Sequence, residues 1–426
     1  MMPVPYLVQG SRDRSQWQPT ECARGPHRSP LTEDVLAMAP SWKLLRLAAL
    51  VACGSLFATG VGAPTPAAGD PLAAAPEPVS REAPPAELPP SPADFTGRRR
   101  ELARLDRTLA ARPGDPAVRI ALVVGTAGVG KTALAVQWAR RVREAFPDGQ
   151  LHVDLRGFAP GPPLTPHDAL ARMLRSLGTP ADRIPADAEE AAGLLRTRLA
   201  GRRALVLLNN AADADQVRPL LPADPGCCAL VTSRDSLAGL VASHGACRVS
   251  LDVLDARDAV DLLARVVGDG RVGAQLDAAH GLAEACGHLP LALRVAAANL
   301  TTRPEQDLAA YATALHTGGR LAGLDVDGDP QGGVRAAFDR SYERLDEPLR
   351  RLFGLLSRAP LPDIAPPAAA ALVGGASPVV ARLLDRLVAA HLLRPSGTGR
   401  YAFVHDLLRE YAGEQTPTYS PAWASR

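Results

Sequence analysis

The pattern of apolar and polar residues changes near residue 251 of the chain. Before that point, four short apolar runs alternate with amphipathic stretches such as 132–146. The runs are too short for helices and predict buried strands at 120–124, 151–154, 204–208 and 229–232. Because strands that alternate with helices build parallel sheets, this part of the chain is predicted to adopt an α/β fold with a parallel sheet.

Beyond residue 251 the apolar residues recur mainly at helical spacing, which predicts helices at 256–267, 274–286, 291–300 and 304–315. A break rich in Gly and Asp at 323–333 precedes a second helical block. One helix of that block carries an apolar face of six residues: Val379, Val380, Leu383, Leu384, Leu387 and Val388. A hairpin at 392–404 and a final helix at 406–411 complete a block that is predicted to be winged-helix-like.

These patterns divide the chain, whose 426 residues have room for two to four domains. Residues 1–90 lack sustained periodicity and become rich in Pro and Ala after Gly62, which is typical of disordered or linker sequence. The predicted division continues with a sheet domain at 91–250, a helical domain at 251–320, a winged-helix-like domain at 330–415 and a tail at 416–426.

The first predicted strand leads into a glycine-rich segment, Gly125-Thr126-Ala127-Gly128-Val129-Gly130-Lys131-Thr132, which a helix is predicted to follow. In this context the spacing indicates a phosphate-binding P-loop, rather than a glycine turn that only packs a helix on a strand. Its backbone N–H groups and the helix N-terminus attract phosphate oxygens. Lys131 is predicted to bridge the β- and γ-phosphates of a purine nucleotide, and the Thr132 hydroxyl to ligate Mg2+. Only two of the 47 basic residues are lysines, so composition does not explain Lys131.

A P-loop usually has an acidic partner for Mg2+ at the end of a neighbouring buried strand. The run at 204–208 is that strand, but Asn209 and Asn210 follow it. An amide is neutral, so it cannot hold the water shell of the metal as a carboxylate does, and it cannot act as a base for an attacking water. We therefore expect weak or absent hydrolysis. Asp213 and Asp215 lie too far along the chain and are expected to carry charge at a helix N-terminus.

Four further features point to the nucleotide site, although each is weak evidence when taken alone. Arg234 follows the next strand, where a guanidinium can sense a γ-phosphate, although it is also typical of a surface loop. His405 and Asp406 open the last helix as a phosphate contact or as a capping pair. The segment 287–292, Gly-His-Leu-Pro-Leu-Ala, is either part of the nucleotide site or only a helix junction. Likewise, Phe95-Thr-Gly-Arg98 is either part of the site or only a linker turn.

Taken in order, these five motifs resemble the NB-ARC subgroup of STAND nucleotide switches, and most closely the bacterial SARP-type regulators of antibiotic production. The resemblance runs from about residue 93 to residue 412. It implies that Phe95, Gly97 and Arg98 lie beside the adenine, that 125–132 cradles the phosphates and that Arg234 is a sensor. It also implies that Pro290, from a helical ARC domain, packs on the adenine, and that His405 contacts the β-phosphate of ADP. In such proteins ADP holds the resting state, and exchange for ATP opens the domains for assembly with other protein chains.

The chain departs from this family at three places. Asn209 stands where the family usually has Asp, which weakens the expected Mg2+ site. The DNA-binding and adjoining helical domains of such regulators are not recognisable in the first 90 residues, and the helical repeats expected after the winged helix are missing. We therefore expect a switch core without an evident DNA-binding or sensor domain.

Two alternative functions remain beside the switch. A P-loop ATPase that couples hydrolysis to work requires the carboxylate that Asn209 replaces. DNA binding through Arg382 and Arg386 of the winged-helix block is disfavoured, because that helix has a wide apolar face and lacks a basic stripe. A net charge of +2 gives no electrostatic argument for nucleic acid or an anionic membrane.

The cellular compartment is predicted to be the cytoplasm. The six cysteines include no Cys-x-x-Cys pair and fit reduced thiols. The weakly apolar segment at 43–63 is poor for a membrane span. It resembles a lipoprotein signal if translation begins at Met38, but export would separate a nucleotide-binding protein from ATP.

Overall fold

The computed structural model describes residues 83–110, 117–326 and 328–415. The first part of the chain forms a five-stranded sheet. Its strands are β1 (Arg119–Val124), β2 (Gln150–Asp154), β3 (Leu205–Ala211), β4 (Cys228–Ser233) and β5 (Cys247–Ser250). They are parallel and lie in the order β2-β3-β4-β1-β5. The α/β parallel-sheet fold predicted from the sequence is confirmed.

Helices cover both faces of this sheet. They are α1 (Arg99–Leu109), α2 (Lys131–Arg141), α3 (Pro166–Ser176), α4 (Ala188–Leu199), α5 (Ala214–Val217) and α6 (Ala238–His244). Side chains of β1 alternate between two cores: Ala121 and Val123 pack with α2, whereas Leu122 and Val124 pack with α3 and α4. A strand buried on both faces has a continuous apolar sequence, which is why β1 is recognisable from the sequence alone.

The fifth strand was not predicted. β5 pairs with β1 at one edge of the sheet, and only Val249 of its four residues is buried. An edge strand with one buried residue has no apolar run, so its sequence does not distinguish it from a loop.

The segment before α1 includes the last residues of the stretch 1–90, most of which is predicted to be disordered or linker. Residues 83–90 are described, and Ala86 forms a parallel bridge with Gln150 of β2. Backbone bonds of 3.0 Å from Glu87 N to Gln150 O and 2.7 Å from Gln150 N to Pro85 O hold the segment at the sheet edge. Proline-rich sequence is extended, and extended backbone can pair with an open strand edge. The segment 43–63 and the tail 416–426 lie outside the described residues.

A helical region follows, made of α7 (Ala256–Val267), α8 (Asp269–Ala274), α9 (Leu276–Ala285), α10 (Pro290–Thr301), α11 (Leu308–Gly318) and α12 (Arg320–Gly323). The predicted helix at 304–315 begins later, at Leu308, because the Asp307 carboxylate accepts hydrogen bonds from the N–H groups of Ala309 and Ala310 and caps the helix. The region shares one continuous core with α2.

The last region comprises α13 (Val334–Tyr342), α14 (Glu347–Leu356), β6 (Asp363–Ile364), α15 (Pro366–Val373), α16 (Ser377–Ala389), β7 (Leu393–Pro395), β8 (Tyr401–Phe403) and α17 (Asp406–Glu414). β7 and β8 form the predicted hairpin, and β6 completes a small antiparallel sheet. This arrangement of helices and a hairpin follows the predicted order, while the winged-helix assignment stays a prediction.

The apolar face predicted for α16 is only partly correct. Val380, Leu384 and Leu387 are buried, but Val379 is 47% exposed. Val379 lies in the first turn of the helix, where few neighbours cover it. Arg386 on the same helix pairs with Asp346 at 2.6 Å in a half-exposed ion pair.

None of the helices in the described residues is by itself long and apolar enough to cross a membrane. The helices α15 and α16 have the length and composition of a membrane span only when they are counted together, and the chain bends by 103° between them.

Candidate nucleotide site

A cavity of about 690 Å³ lies at the carboxyl ends of the sheet strands, where parallel α/β sheets bind ligands. Three parts of the chain line it. The sheet region contributes the P-loop and the ends of β2, β3 and β4, and α10 contributes its first turn. The third part is Gln331 and Arg340, from the segment leading into α13 and from α13 itself.

The P-loop lies between β1 and α2. Gly128, Val129, Gly130, Lys131 and Thr132 line the cavity. The three preceding residues lie behind them: Gly125, Thr126 and Ala127.

Close packing makes Gly128 necessary. Its φ of +76° is in the left-handed region, and a Cβ there would lie 2.9 Å from the Cβ of Leu291. Leu291 N also donates to Gly128 O at 3.1 Å. The loop is therefore braced by α10, and a side chain at Gly128 would separate the two.

The Lys131 side chain bonds to the backbone of the P-loop. Its Nζ donates to Gly125 O at 2.9 Å and Thr126 O at 2.7 Å. Burial lowers the pKa of Lys131 well below its ordinary value, and the positive charge of Arg234 lowers it further. An anion in the cavity would restore the charged form.

The Thr132 hydroxyl donates to Asn209 Oδ1 at 2.8 Å, and the Thr232 hydroxyl donates to the same oxygen at 2.8 Å. The amide of Asn209, on β3, thus takes the position that the sequence analysis assigned to the Mg2+ partner. Asp154 ends β2 in register with Asn209 and also lines the cavity, so a carboxylate is present one strand, or roughly 5 Å, farther from the loop. Hydroxyl, amide and carboxylate oxygens are ligands that Mg2+ accepts, and the residues fit this ion.

Another part of the cavity lining is more apolar. Phe95 lines it together with residues of α7 and α10: Leu262, Pro290 and Leu291. Gly97 has a φ of +70°, which residues with a side chain adopt only with strain, and a Cβ there would lie 2.0 Å from Asp258 Oδ2 and displace that carboxylate. The motif 95–98 and Pro290, which are distant in sequence, are therefore brought together as the resemblance implied.

Arg98 is buried, and its Nη2 donates to Val129 O at 3.0 Å. Burial lowers the pKa of its guanidinium, although the nearby Glu101 carboxylate counteracts the shift. The contact ties the segment before α1 to the P-loop backbone.

Arg234 follows β4 and lines the cavity, as predicted. Its Nη1 donates to Ala337 O at 2.6 Å and to Ser341 Oγ at 2.9 Å, both on α13. Its guanidinium lies 5.2 Å from the centre of the Phe158 ring. Burial lowers the pKa of Arg234 to about 10, and the charge of Arg340 adds to this.

Five predicted site residues do not line the cavity: Gly97, Gly125, Thr126, Ala127 and His405. The first four lie in chain segments that line it, whereas His405 belongs to the last region. It caps α17, where its Nδ1 accepts a hydrogen bond of 3.2 Å from Leu408 N, and its ring lies 5.6 Å from that of Phe338. Burial lowers the pKa of His405 to about 3. In this arrangement His405 acts as the capping residue that the sequence also allowed.

Comparison with protein families decides what this site is part of. Residues 99–273 match the NB-ARC domain. The chain carries an NB-ARC domain. The recognition made from the motifs is confirmed, and the NB-ARC domain is a P-loop nucleotide-binding domain.

Two curated relatives extend the similarity beyond the NB-ARC domain. Regulatory protein AfsR of Streptomyces coelicolor is 43% identical over 329 residues, which cover 76% of this chain and 32% of the relative. Regulatory protein AfsR of Streptomyces griseus is 43% identical over 325 residues, with the same coverage of 76% and 32%. The chain thus spans about a third of the length of these relatives.

Among solved structures, a Walker-type ATPase of Pyrococcus abyssi resembles this chain with a TM-score of 0.54 at 13% identity. The match covers 76% of this chain and 99% of that chain. At this identity the likeness concerns the fold alone, and it supports a parallel-sheet P-loop architecture around the NB-ARC domain.

The sequence analysis missed several residues of this cavity. Asp154 ends a predicted strand, and its position at the carboxyl end of a parallel strand is a signal that was available. Phe158 and Arg340 carry no such signal. Phe158 lies in the loop after β2, within the NB-ARC domain, whereas Arg340 reaches the cavity only because the chain beyond that domain folds back onto it.

Proposed function

We propose that this chain is a nucleotide-dependent switch that binds ADP or ATP, with weak or no ATP hydrolysis. The observation that carries the proposal is the position of Arg234. It lines the phosphate end of the cavity and simultaneously bonds to α13, so the nucleotide site and the last region of the chain share one residue.

The phosphate chain would lie on the P-loop, held by its backbone N–H groups and by Lys131. The adenine would lie at the more apolar part of the lining beside Phe95, Gly97, Arg98 and Pro290. Thr132 and Asn209 would hold Mg2+, which neutralises phosphate charge when bound.

Weak hydrolysis follows from the chemistry of Asn209. Its Oδ1 already accepts bonds from two hydroxyls, and an amide has no basic form with which to take a proton from water. Asn210 is neutral as well, and its N–H donates to Thr232 Oγ1 at 2.9 Å. Asp154 is the nearest strand-end carboxylate, and it lies one strand farther from the loop.

Switching would act through the contacts that hold the last region against the sheet. Arg344 donates to Gly157 O at 2.9 Å, and Ser236 N donates to Ala389 O at 2.9 Å. The Phe158 ring lies 5.2 Å from Arg234 and 5.1 Å from Arg344. A γ-phosphate would compete with α13 for the Arg234 guanidinium and so favour release of this region.

Release would uncover surfaces for other protein chains. The similarity to regulatory proteins supports a role in signalling or transcriptional control. The proposed compartment is the cytoplasm. DNA binding by α16 is not favoured, because that helix lacks a basic stripe.

The nucleotide carried through purification tests the proposal. Full-length protein is denatured, and released nucleotide is separated by chromatography; we expect ADP. The purified chain should also bind added ADP and ATP in a calorimeter. A well-folded chain that neither carries nor binds either nucleotide would contradict the proposed function.

A further inference from the structure

Five cationic residues line the same cavity, and two of them are paired, Arg98 with Glu101 and Arg294 with Asp94. The other three form a cluster. Lys131 comes from the P-loop, Arg234 from the end of β4 and Arg340 from α13. The charge of Arg340 is close enough to lower the pKa of Arg234, and the charge of Arg234 lowers that of Lys131. Neighbouring like charges in a partly buried site destabilise one another unless an anion lies among them.

No carboxylate within the described residues forms an ion pair with any of the three cations. Asp154 and Asp94 line the cavity, but Asp94 pairs with Arg294 at 3.0 Å, and an oxygen of Asp154 accepts the Arg156 N–H at 2.9 Å. The positive charge of the cluster is thus not balanced by the described part of the protein. A polyanion is the ligand that fits it.

Arg340 is positioned for such a ligand. Its neighbours on α13, Ala337 and Ser341, are the residues that accept the bonds of Arg234, so the helix sets the two guanidiniums side by side. Its Nη2 donates to Gln331 O at 2.7 Å and to Gln331 Oε1 at 3.1 Å. Its Nε is buried and has no hydrogen-bond partner among the described residues. These contacts fix the side chain while leaving a donor free.

We propose that Arg340 binds the phosphate chain of the nucleotide, so that α13 contributes directly to the nucleotide site. The inference rests on the proposed function and adds a residue to it. Lys131 and Arg234 hold the phosphates from the sheet side, and Arg340 holds them from α13. ADP is then the counterion that keeps α13 against the sheet, and Arg340, not His405, carries the contact between the last region of the chain and the phosphates.

The test compares Arg340→Gln with Arg335→Gln in the full-length chain. Arg335 is on the same helix but pairs with Glu414 and does not line the cavity. Calorimetry with AMP, ADP and ATP is expected to show the largest loss for ADP, because a γ-phosphate favours release of α13 and of Arg340 with it. ADP binding should weaken about tenfold in Arg340→Gln, ATP binding should weaken less, AMP binding should not change, and Arg335→Gln should resemble wild type. Arg340→Lys keeps the charge and should recover part of the loss.

Several outcomes would overturn the inference. One is Arg340→Gln binding ADP as wild type does, while Lys131→Ala does not; in that case the proposed function stands and this inference fails. An equal loss for all three nucleotides would assign Arg340 a structural role and also contradict it. If wild type binds none of them, both proposals fail. Thermal unfolding without nucleotide checks that each variant is folded, and Arg340→Lys provides the measurement if Arg340→Gln is not.

Discussion

The two sides of the nucleotide cavity are built differently. The P-loop side consists of eight consecutive residues between β1 and α2, and its shape follows from glycine positions and backbone N–H groups. The α13 side is assembled from residues far apart, since Arg234 bonds to Ala337, 103 positions further along the chain. Local sequence thus provides the means to hold a phosphate, and tertiary packing provides the means to report that one is held.

The largest expected effect is on the P-loop side. Lys131→Ala should weaken binding of ADP and ATP about 100-fold, roughly 2.7 kcal/mol, because a charged donor to the phosphates is lost. Calorimetry measures it. Arg141→Ala, an exposed residue on the same helix that pairs with Asp106, is the control. Equal affinities in Lys131→Ala and wild type would contradict the difference we draw between the two sides.

The second effect concerns His405. Its folded-state pKa of about 3 lies below the ordinary 6.5, so the neutral ring is the folded form and stability falls as pH drops from about 6.5 towards 3. His405→Asn should remove this loss, which amounts to about 2 kcal/mol at pH 5. Urea unfolding at pH 8 and pH 5 measures it.

The difference between variant and wild type gives the contribution of His405 to the pH dependence of stability. Burial also lowers the pKa of His391, to about 4, but His391 is present in both proteins and its contribution cancels. ADP affinity at pH 8 is expected to stay unchanged in His405→Asn, since the residue does not line the cavity. A large loss of ADP affinity would show instead that His405 contacts the nucleotide.

The third effect sharpens the chemistry of the P-loop side. Asn209→Asp would place a carboxylate between the Thr132 and Thr232 hydroxyls and should raise ATP turnover about tenfold over a slow wild type. Phosphate release in the presence of Mg2+ measures it, and Asn209→Ala should not show the gain. Brisk turnover by wild type would contradict the weak hydrolysis we propose.

The smallest effect is on the α13 side. Ser341→Ala removes one of two acceptors for Arg234 and should lower the free energy of unfolding by about 1 kcal/mol. Urea unfolding without nucleotide measures it, with Ser243→Ala on the exposed surface as control. An unchanged stability would mean that the Arg234 contacts do not hold α13 in place.

The sequence analysis found those elements that a local pattern of residues encodes. Buried strands β1 to β4 were found from their apolar runs, while edge strand β5 and the extended segment at 83–90 were not, because both depend on pairing with a strand distant in sequence. Pro290 and Phe95 were assigned to one site from a resemblance, and the fold brings them to one cavity. Val379 was placed on a buried face and is exposed.

By itself, the sequence determined the P-loop, the parallel α/β fold and the NB-ARC domain, because glycine positions, a lysine and strand hydrophobicity act within a few residues of one another. Only the tertiary structure decided what faces the P-loop. His405 was placed in a capping role, and Arg340 was brought to the cavity, by the way α13 and α17 pack on the rest of the chain. A side chain's reach into a site depends on which helix surface is buried against the neighbouring region, and no local pattern of residues encodes that choice.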